Sequence, residues 1–237
     1  MPRRVKAVTS EKPCGGSLEG SRGGSDEVLA VRSVSKLFGR RSVLKGVTFG
    51  LKQGSLVGVV GENGAGKTTL LKILAGLLPP TEGQVVVKGK MGYCPQEVML
   101  NEALSVRQHL EYFAAAYHIP DFEYGKELVK LLGYDSYLDR RVAELSGGTR
   151  QKLNLTISLM HRPSVLLLDE PYQGFDWETY LRFWDLAEVL KRKGATMIII
   201  SHLVFEKARF DAIYGLRGGV LQQEAAGFPP VAAEVTA

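Results

Sequence analysis

A chain of 237 residues is long enough for one sizeable core and at most two small domains. Apolar residues make up 45% and charged residues 23%, the balance of an ordinary globular protein, and no apolar run approaches the roughly 20 residues that span a bilayer. The net charge of +5 comes from scattered Lys and Arg pairs rather than a basic tract, so nucleic acid is not expected as a partner, and two cysteines, Cys14 and Cys94, argue against a disulfide framework and for a reducing compartment.

Residues 1–27 are rich in Gly, Ser and charge and carry too little apolar surface to offset their ordering entropy, which predicts a disordered leader. "VLAVRSV" (28–34) and "SLVGVV" (55–60) read as strands. "KTTLLKILAGLL" (67–78) has apolar residues at helical spacing and runs into the breaker Pro79-Pro80, and "GQVVVKG" (83–89) is a short strand. Helical patterns follow at 105–119, 124–133 and 147–162, the last with Ser146 as its N-cap. "SVLLLDE" (164–170) and "ATMIIIS" (195–201) are unbroken apolar runs of the kind found in strands buried on both faces. The amphipathic stretch 178–194 lies between them as a crossover helix, and the chain closes in a loose tail over 224–237. The sum is α/β, a parallel sheet wrapped in helices, with a helical insertion at about 97–160.

Gly61, Gly66, Lys67 and Thr68 in "GENGAGKTT" (61–69) fit the phosphate-binding loop G-x-x-x-x-G-K-[ST], and the loop lies where that motif requires, between a strand and a helix. Backbone N–H groups must approach phosphate oxygens, so Gly61, Gly64, Ala65 and Gly66 leave the approach clear. Lys67 then supplies a full charge for the β and γ phosphates, and the Thr68 hydroxyl is a ligand for Mg²⁺. Asp169 and Glu170 emerge at the carboxyl end of a buried strand, where ligands bind in open α/β sheets. Asp169 is a second candidate for holding Mg²⁺, and Glu170 is a candidate general base for an attacking water.

With "LSGGTRQK" (145–152), "YCPQ" (93–96), "VLLLDEP" (165–171) and "IISH" (199–202) in the same order, the chain resembles the ATP-binding domain of ABC transporters over roughly residues 28–222. The resemblance implies a P-loop NTPase core with a parallel sheet, a small antiparallel β subdomain and an inserted α-helical subdomain, with the domain extending over 28–223. It implies that Gly61, Glu62, Asn63, Gly64, Ala65, Gly66, Lys67, Thr68 and Thr69 form the Walker A loop, with Asp169 in Walker B and Glu170 as catalytic carboxylate. By the same resemblance Gln96 is the Q-loop glutamine that senses Mg²⁺ and the attacking water, His202 is the switch histidine, and Phe38 stacks on adenine. Ser146, Gly147 and Gly148 are placed like the signature that caps ATP held by the opposite subunit, and Asp176 like the D-loop aspartate at the dimer interface.

The implied assembly is a homo- or heterodimer of ATP-binding subunits, head to tail, with ATP and Mg²⁺ as cofactors. It would work at the cytoplasmic face of a membrane with membrane-spanning permease subunits on separate chains, and the stretch from the Q-loop onward looks most like the exporters. Tyr172, Thr149, Phe175 and Trp177 depart from the residues usual at their places, and the connection over 81–96 is short, as in the ABC-class factors that act on ribosomes. A soluble ABC-class ATPase acting in translation is therefore the alternative, although that class usually carries two such domains in one chain.

Overall fold

The computed structural model describes residues 27–97, 99–201 and 207–224; His202, Cys14 and most of the expected leader and tail lie outside the described residues. Strands β1 (Glu27–Phe38), β2 (Arg41–Lys52) and β4 (Glu82–Val87) form one antiparallel sheet in the order β2-β1-β4. Strands β3 (Leu56–Val60), β5 (Met91–Cys94), β6 (Val165–Asp169), β7 (Thr196–Ile200), β8 (Ala212–Arg217) and β9 (Val220–Gln223) form the second, in the order β5-β6-β7-β3-β8-β9. Its neighbours run parallel except β8 and β9, an antiparallel hairpin closed by Gly218-Gly219. The protein is thus α/β, with a mixed, mostly parallel sheet that this hairpin edges and a small antiparallel one, the core and β subdomain expected above.

The middle of the large sheet explains the unbroken apolar runs. Val165, Leu167, Ile198, Ile200, Val57 and Val59 face a core shared with the antiparallel sheet and with helix α1 (Lys67–Leu74). Their neighbours Leu166, Leu168, Met197 and Ile199 face a second core, filled by α2 (Val106–Ala116), α3 (Glu123–Leu131), α4 (Gly147–Leu159) and α5 (Trp177–Arg192). With both faces covered, nothing selects polar residues at alternate positions. Helix α4 is buried on all sides from Gln151 to Leu159, so its polar residues need partners inside the protein. Thr156 accepts the Tyr134 hydroxyl at 2.6 Å and donates to the Lys152 carbonyl at 2.9 Å, while Ser158 donates to the Leu155 carbonyl at 2.7 Å.

Two boundaries differ from expectation in ways that matter for the site. Helix α1 stops at Leu74 instead of continuing to the prolines, because the N–H groups of Gly76 and Leu77 turn back to the carbonyls of Ile73 and Lys72 at 3.0 and 2.9 Å. Strand β1 runs on to Phe38 and turns through Gly39-Arg40 into β2, a strand the hydrophobic pattern does not announce, so that Phe38 and Arg41 are cross-strand partners. Strands β6, β7 and β3 lie side by side and point the same way, which brings the residues after Asp169, Ile200 and Val60 to one edge of the sheet.

Candidate active site

A cleft of about 430 Å³ opens at that edge. The hairpin of β1 and β2 lines it with Phe38, Arg41 and Val43, and the loop before α1 lines it with Asn63, Gly64, Gly66 and the start of the helix, Lys67 to Thr69. Gln96, Asp169 and Glu170 close the far side. Of the nine loop and helix-start residues from Gly61 to Thr69, six line the cleft and two anchor what does: the carbonyls of Gly61 and Glu62 accept the Lys67 ammonium at 2.6 and 3.0 Å. Ala65 packs toward the core beneath the antiparallel sheet.

The loop turns into α1 at Gly66, whose φ of 106° is closed to a side chain; a Cβ there would also press on Val43 at 3.0 Å. No side chain caps this helix. Lys67 is buried, and that burial pulls its pKa below the ordinary lysine value, with the nearby Glu170 and Asp169 carboxylates acting in the opposite sense. The Thr68 hydroxyl donates to Asp169 Oδ2 at 2.8 Å across 101 positions of sequence. Two hard oxygen donors side by side, beside a phosphate-sized loop, suit Mg²⁺, which takes few protein ligands and leaves the rest of its shell to phosphate and water. Among the described residues no cluster of His, Cys, Asp or Glu competes as a metal site.

Glu170 has a φ of 49°, a conformation uncommon for a residue with a side chain. Its N–H bonds the Ile200 carbonyl at 3.0 Å and its carbonyl accepts from Gln173 at 3.1 Å, which holds the turn off the end of β6. Helix α4 contributes from behind. The Gln151 amide donates to the carbonyls of Glu170 and Pro171, both at 3.4 Å, and the Asn154 amide donates to the Pro95 carbonyl at 2.9 Å, one residue before Gln96. Tyr172 bonds the Ser201 side chain and packs edge-on against Tyr180 and Phe183, and burial pushes its pKa up to about 12. Lys36 donates to the Pro79 carbonyl at 2.6 Å and sits 5.2 Å from the centre of the Phe38 ring, supporting a ring that is otherwise half exposed.

Ser146, Gly147, Gly148 and Asp176 do not line this cleft. Ser146 caps α4, accepting the Thr149 N–H at 3.2 Å, and the Thr149 hydroxyl lies 3.0 Å from its Oγ. Gly148 passes so close to the Gly174 carbonyl that a Cβ would overlap it. Asp176 caps α5, accepting the Thr179 N–H at 2.8 Å and the Thr179 hydroxyl at 2.9 Å, and these bonds pull its pKa down to about 2. Trp177 is 70% exposed and stacks on Tyr180. Cys94 is fully buried, with its thiol pKa raised by burial, a packed residue as its surroundings in sequence suggest.

Arg41, Val43, Gln151 and Asn154 were not singled out in the sequence. The two-residue spacing of Arg41 and Val43 after the Phe38 turn was the available signal for the first pair. For the second pair the sequence offers no distinct signal, since Gln151 and Asn154 stand among other polar residues of the same helix, Arg150, Lys152, Thr156 and Ser158.

The ABC transporter family matches residues 44–173. A linearmycin resistance ATP-binding protein of Bacillus subtilis is 30% identical over 194 residues, covering 76% of this chain and 62% of that protein. A zinc import ATP-binding protein of Rickettsia conorii is 33% identical over 183 residues, covering 75% of this chain and 77% of that one. Longer relatives also match, and of two of them the chain spans only 29% and 39%. Among solved structures, the ATP-binding subunit of an ABC transporter superposes with a TM-score of 0.79 at 26% identity, covering 84% of this chain and 90% of that one. Among the described residues no helix is long and apolar enough to cross a membrane. With the family spanning more than half its length and the fold shared throughout the core, this chain belongs to the ABC transporter family, as one of its ATP-binding domains.

Proposed function

We propose that the chain binds and hydrolyses Mg-ATP and that hydrolysis drives transport through membrane-spanning subunits on separate chains. The observation that carries the reading is the Thr68–Asp169 contact of 2.8 Å, which brings the phosphate loop, a metal-binding oxygen pair and the Glu170 turn to one cleft. Phe38 stacks on the base, and Lys67 and the loop N–H groups bind the β and γ phosphates. Thr68 and Asp169 would hold Mg²⁺, which would supply neutralisation of charge on the phosphate oxygens, with Gln96 also on the cleft wall. Glu170, in a left-handed backbone turn on the cleft wall, accepts a proton from the attacking water.

Ser146, Gly147, Gly148 and Asp176 lie away from the cleft of their own chain, which supports their acting on ATP held by a second subunit, head to tail. His202, read in the sequence as the γ-phosphate switch, belongs to the same proposal. The site of action would be the cytoplasmic face of a membrane. For direction we propose export, on the resemblance to exporters of the stretch from the Q-loop onward and on the relative named for linearmycin resistance; the relative named for zinc import makes direction a matter for experiment.

The test is Glu170→Gln. Turnover should fall by about 10²- to 10⁴-fold while ATP binding is kept. Captured from its native cell with Mg-ATP present, the variant should bring down a multi-spanning membrane protein, and transport of that partner's cargo in vesicles fixes direction. Unchanged turnover removes Glu170 as the base, and capture of ribosomes alone replaces transport with a role in translation.

A further inference from the structure

We infer that Arg41 is a second cation for the nucleotide's phosphate chain, working beside Lys67. The inference rests on the reading of the cleft as the ATP site. Among the described residues, four charged side chains line that cleft: Arg41 and Lys67 against Asp169 and Glu170. With Lys67 alone against two carboxylates, the side chains by themselves would leave the cleft negative, and Mg²⁺ at Thr68 and Asp169 would be the sole surplus of positive charge toward a polyanionic ligand. Arg41 restores the balance.

The geometry points the same way. Arg41 and Val43 are two apart on β2 and so project to the same face of the strand. Val43 reaches the loop at Gly66, where a Cβ would lie 3.0 Å from its Cγ1. Arg41 lines the same cleft as Asn63 and Gly64 of that loop and is the cross-strand partner of Phe38. It is exposed, and among the described residues no carboxylate or carbonyl partners it, whereas the Lys67 ammonium is already held by two carbonyls. A planar guanidinium with its fork unengaged at the rim of a phosphate loop has the donor geometry to grip two phosphate oxygens together. A cation so placed distinguishes nucleotides by the length of their phosphate chain and leaves the base to Phe38.

The test is the affinity of wild type, Arg41→Ala and Arg41→Lys for ATP, ADP and AMP by titration calorimetry, at low and high salt. Arg41→Ala should weaken ATP and ADP about tenfold, as expected for loss of a charge-assisted bond at an exposed site, and AMP by much less. Arg41→Lys should recover part of the loss, and the salt dependence of ATP binding should flatten in Arg41→Ala. Because the side chain is exposed and unpartnered, the melting temperature without nucleotide should not change, which separates lost contact from misfolding. Equal ATP affinity in wild type and Arg41→Ala overturns the inference, and so does an equal loss for AMP, which would put Arg41 on the base or sugar. Failure of wild type to bind any nucleotide would strike the ATP-site reading itself.

Discussion

Helices α1 and α4 begin in opposite ways. Each has N–H groups in its first turn that no intrahelical carbonyl can take. Helix α4 meets the need itself: Ser146 accepts the Thr149 N–H, and the Thr149 hydroxyl adds a bond to the cap. Helix α1 does not: Gly66 offers no side chain, there is no acid in its first turn, and its first residue is a buried lysine. A helix start with a positive dipole end and no cap is poor for stability and well suited to an anion. The lesson is that the chain's binding end is recognisable by the stabilising groups it withholds, and its structural ends by the caps they keep.

The largest effect expected from breaking this contrast is at Lys67. Lys67→Met should lower ATP affinity by about 100-fold, because the cleft loses its deepest cation and keeps both carboxylates. The nucleotide-free protein should be no less stable. Burial has lowered the lysine's pKa, so the charged form is disfavoured on folding; that cost is present at every pH below the lowered value and fades as pH rises toward the ordinary lysine pKa. Thermal melts with and without ATP check both halves: the ATP-induced rise should vanish, and the nucleotide-free midpoint should stay or rise. A lower nucleotide-free midpoint would mean that Lys67 supports the loop through the Gly61 and Glu62 carbonyls and that α1 is not the unsupported end it looks to be.

A smaller effect is expected where α4 meets the cleft. Asn154→Ala leaves the Pro95 carbonyl without its donor, a loss of roughly 1–2 kcal/mol for a half-buried acceptor. Since Pro95 precedes Gln96, ATP turnover at saturation should also fall while ATP affinity changes little. Chemical denaturation and steady-state kinetics measure the two. A stability loss with untouched turnover would confine Asn154 to packing.

The parts of this arrangement differ in how far they could be read in advance. The loop over 61–69 and the "VLLLDE" strand were legible because phosphate and metal chemistry demands particular residues at fixed spacing, and because a strand covered on both faces is apolar throughout. Their meeting at Thr68 and Asp169 follows from β3 and β6 flanking β7 in one parallel sheet. Strand β2 was hidden because Lys45, Gly46 and Gly50 interrupt its alternation and bulges shift its register against β1, and with it went Arg41 and Val43. Gln151 and Asn154 were hidden for another reason. A helix buried on every side has no polar face, so which amide meets which carbonyl is decided by β5 and the end of β6, which no local pattern in α4 encodes.

The smallest expected effect tests the capped side of the contrast at Asp176, which begins α5. Asp176→Ala removes acceptors for the Thr179 N–H and hydroxyl and for Lys152 Nζ at 3.4 Å, and should cost about 1 kcal/mol, the usual worth of an N-cap. The carboxylate is largely exposed, so its depressed pKa is a guide to pH range and not to energy. The sign is that of an acid held ionised by folding: the contribution is complete above the ordinary carboxylate pKa and is lost as pH falls through about 2. The stability gap between wild type and Asp176→Ala should therefore be constant from neutral pH down to about 4 and close below it. Denaturation midpoints measured across that range follow it. If Asp176 and Ser146 also act across the proposed subunit interface, Asp176→Ala and Ser146→Ala will each lower turnover by more than the loss of a helix cap can explain. A turnover unchanged in both would leave two ordinary helix caps and remove them from the catalytic reading.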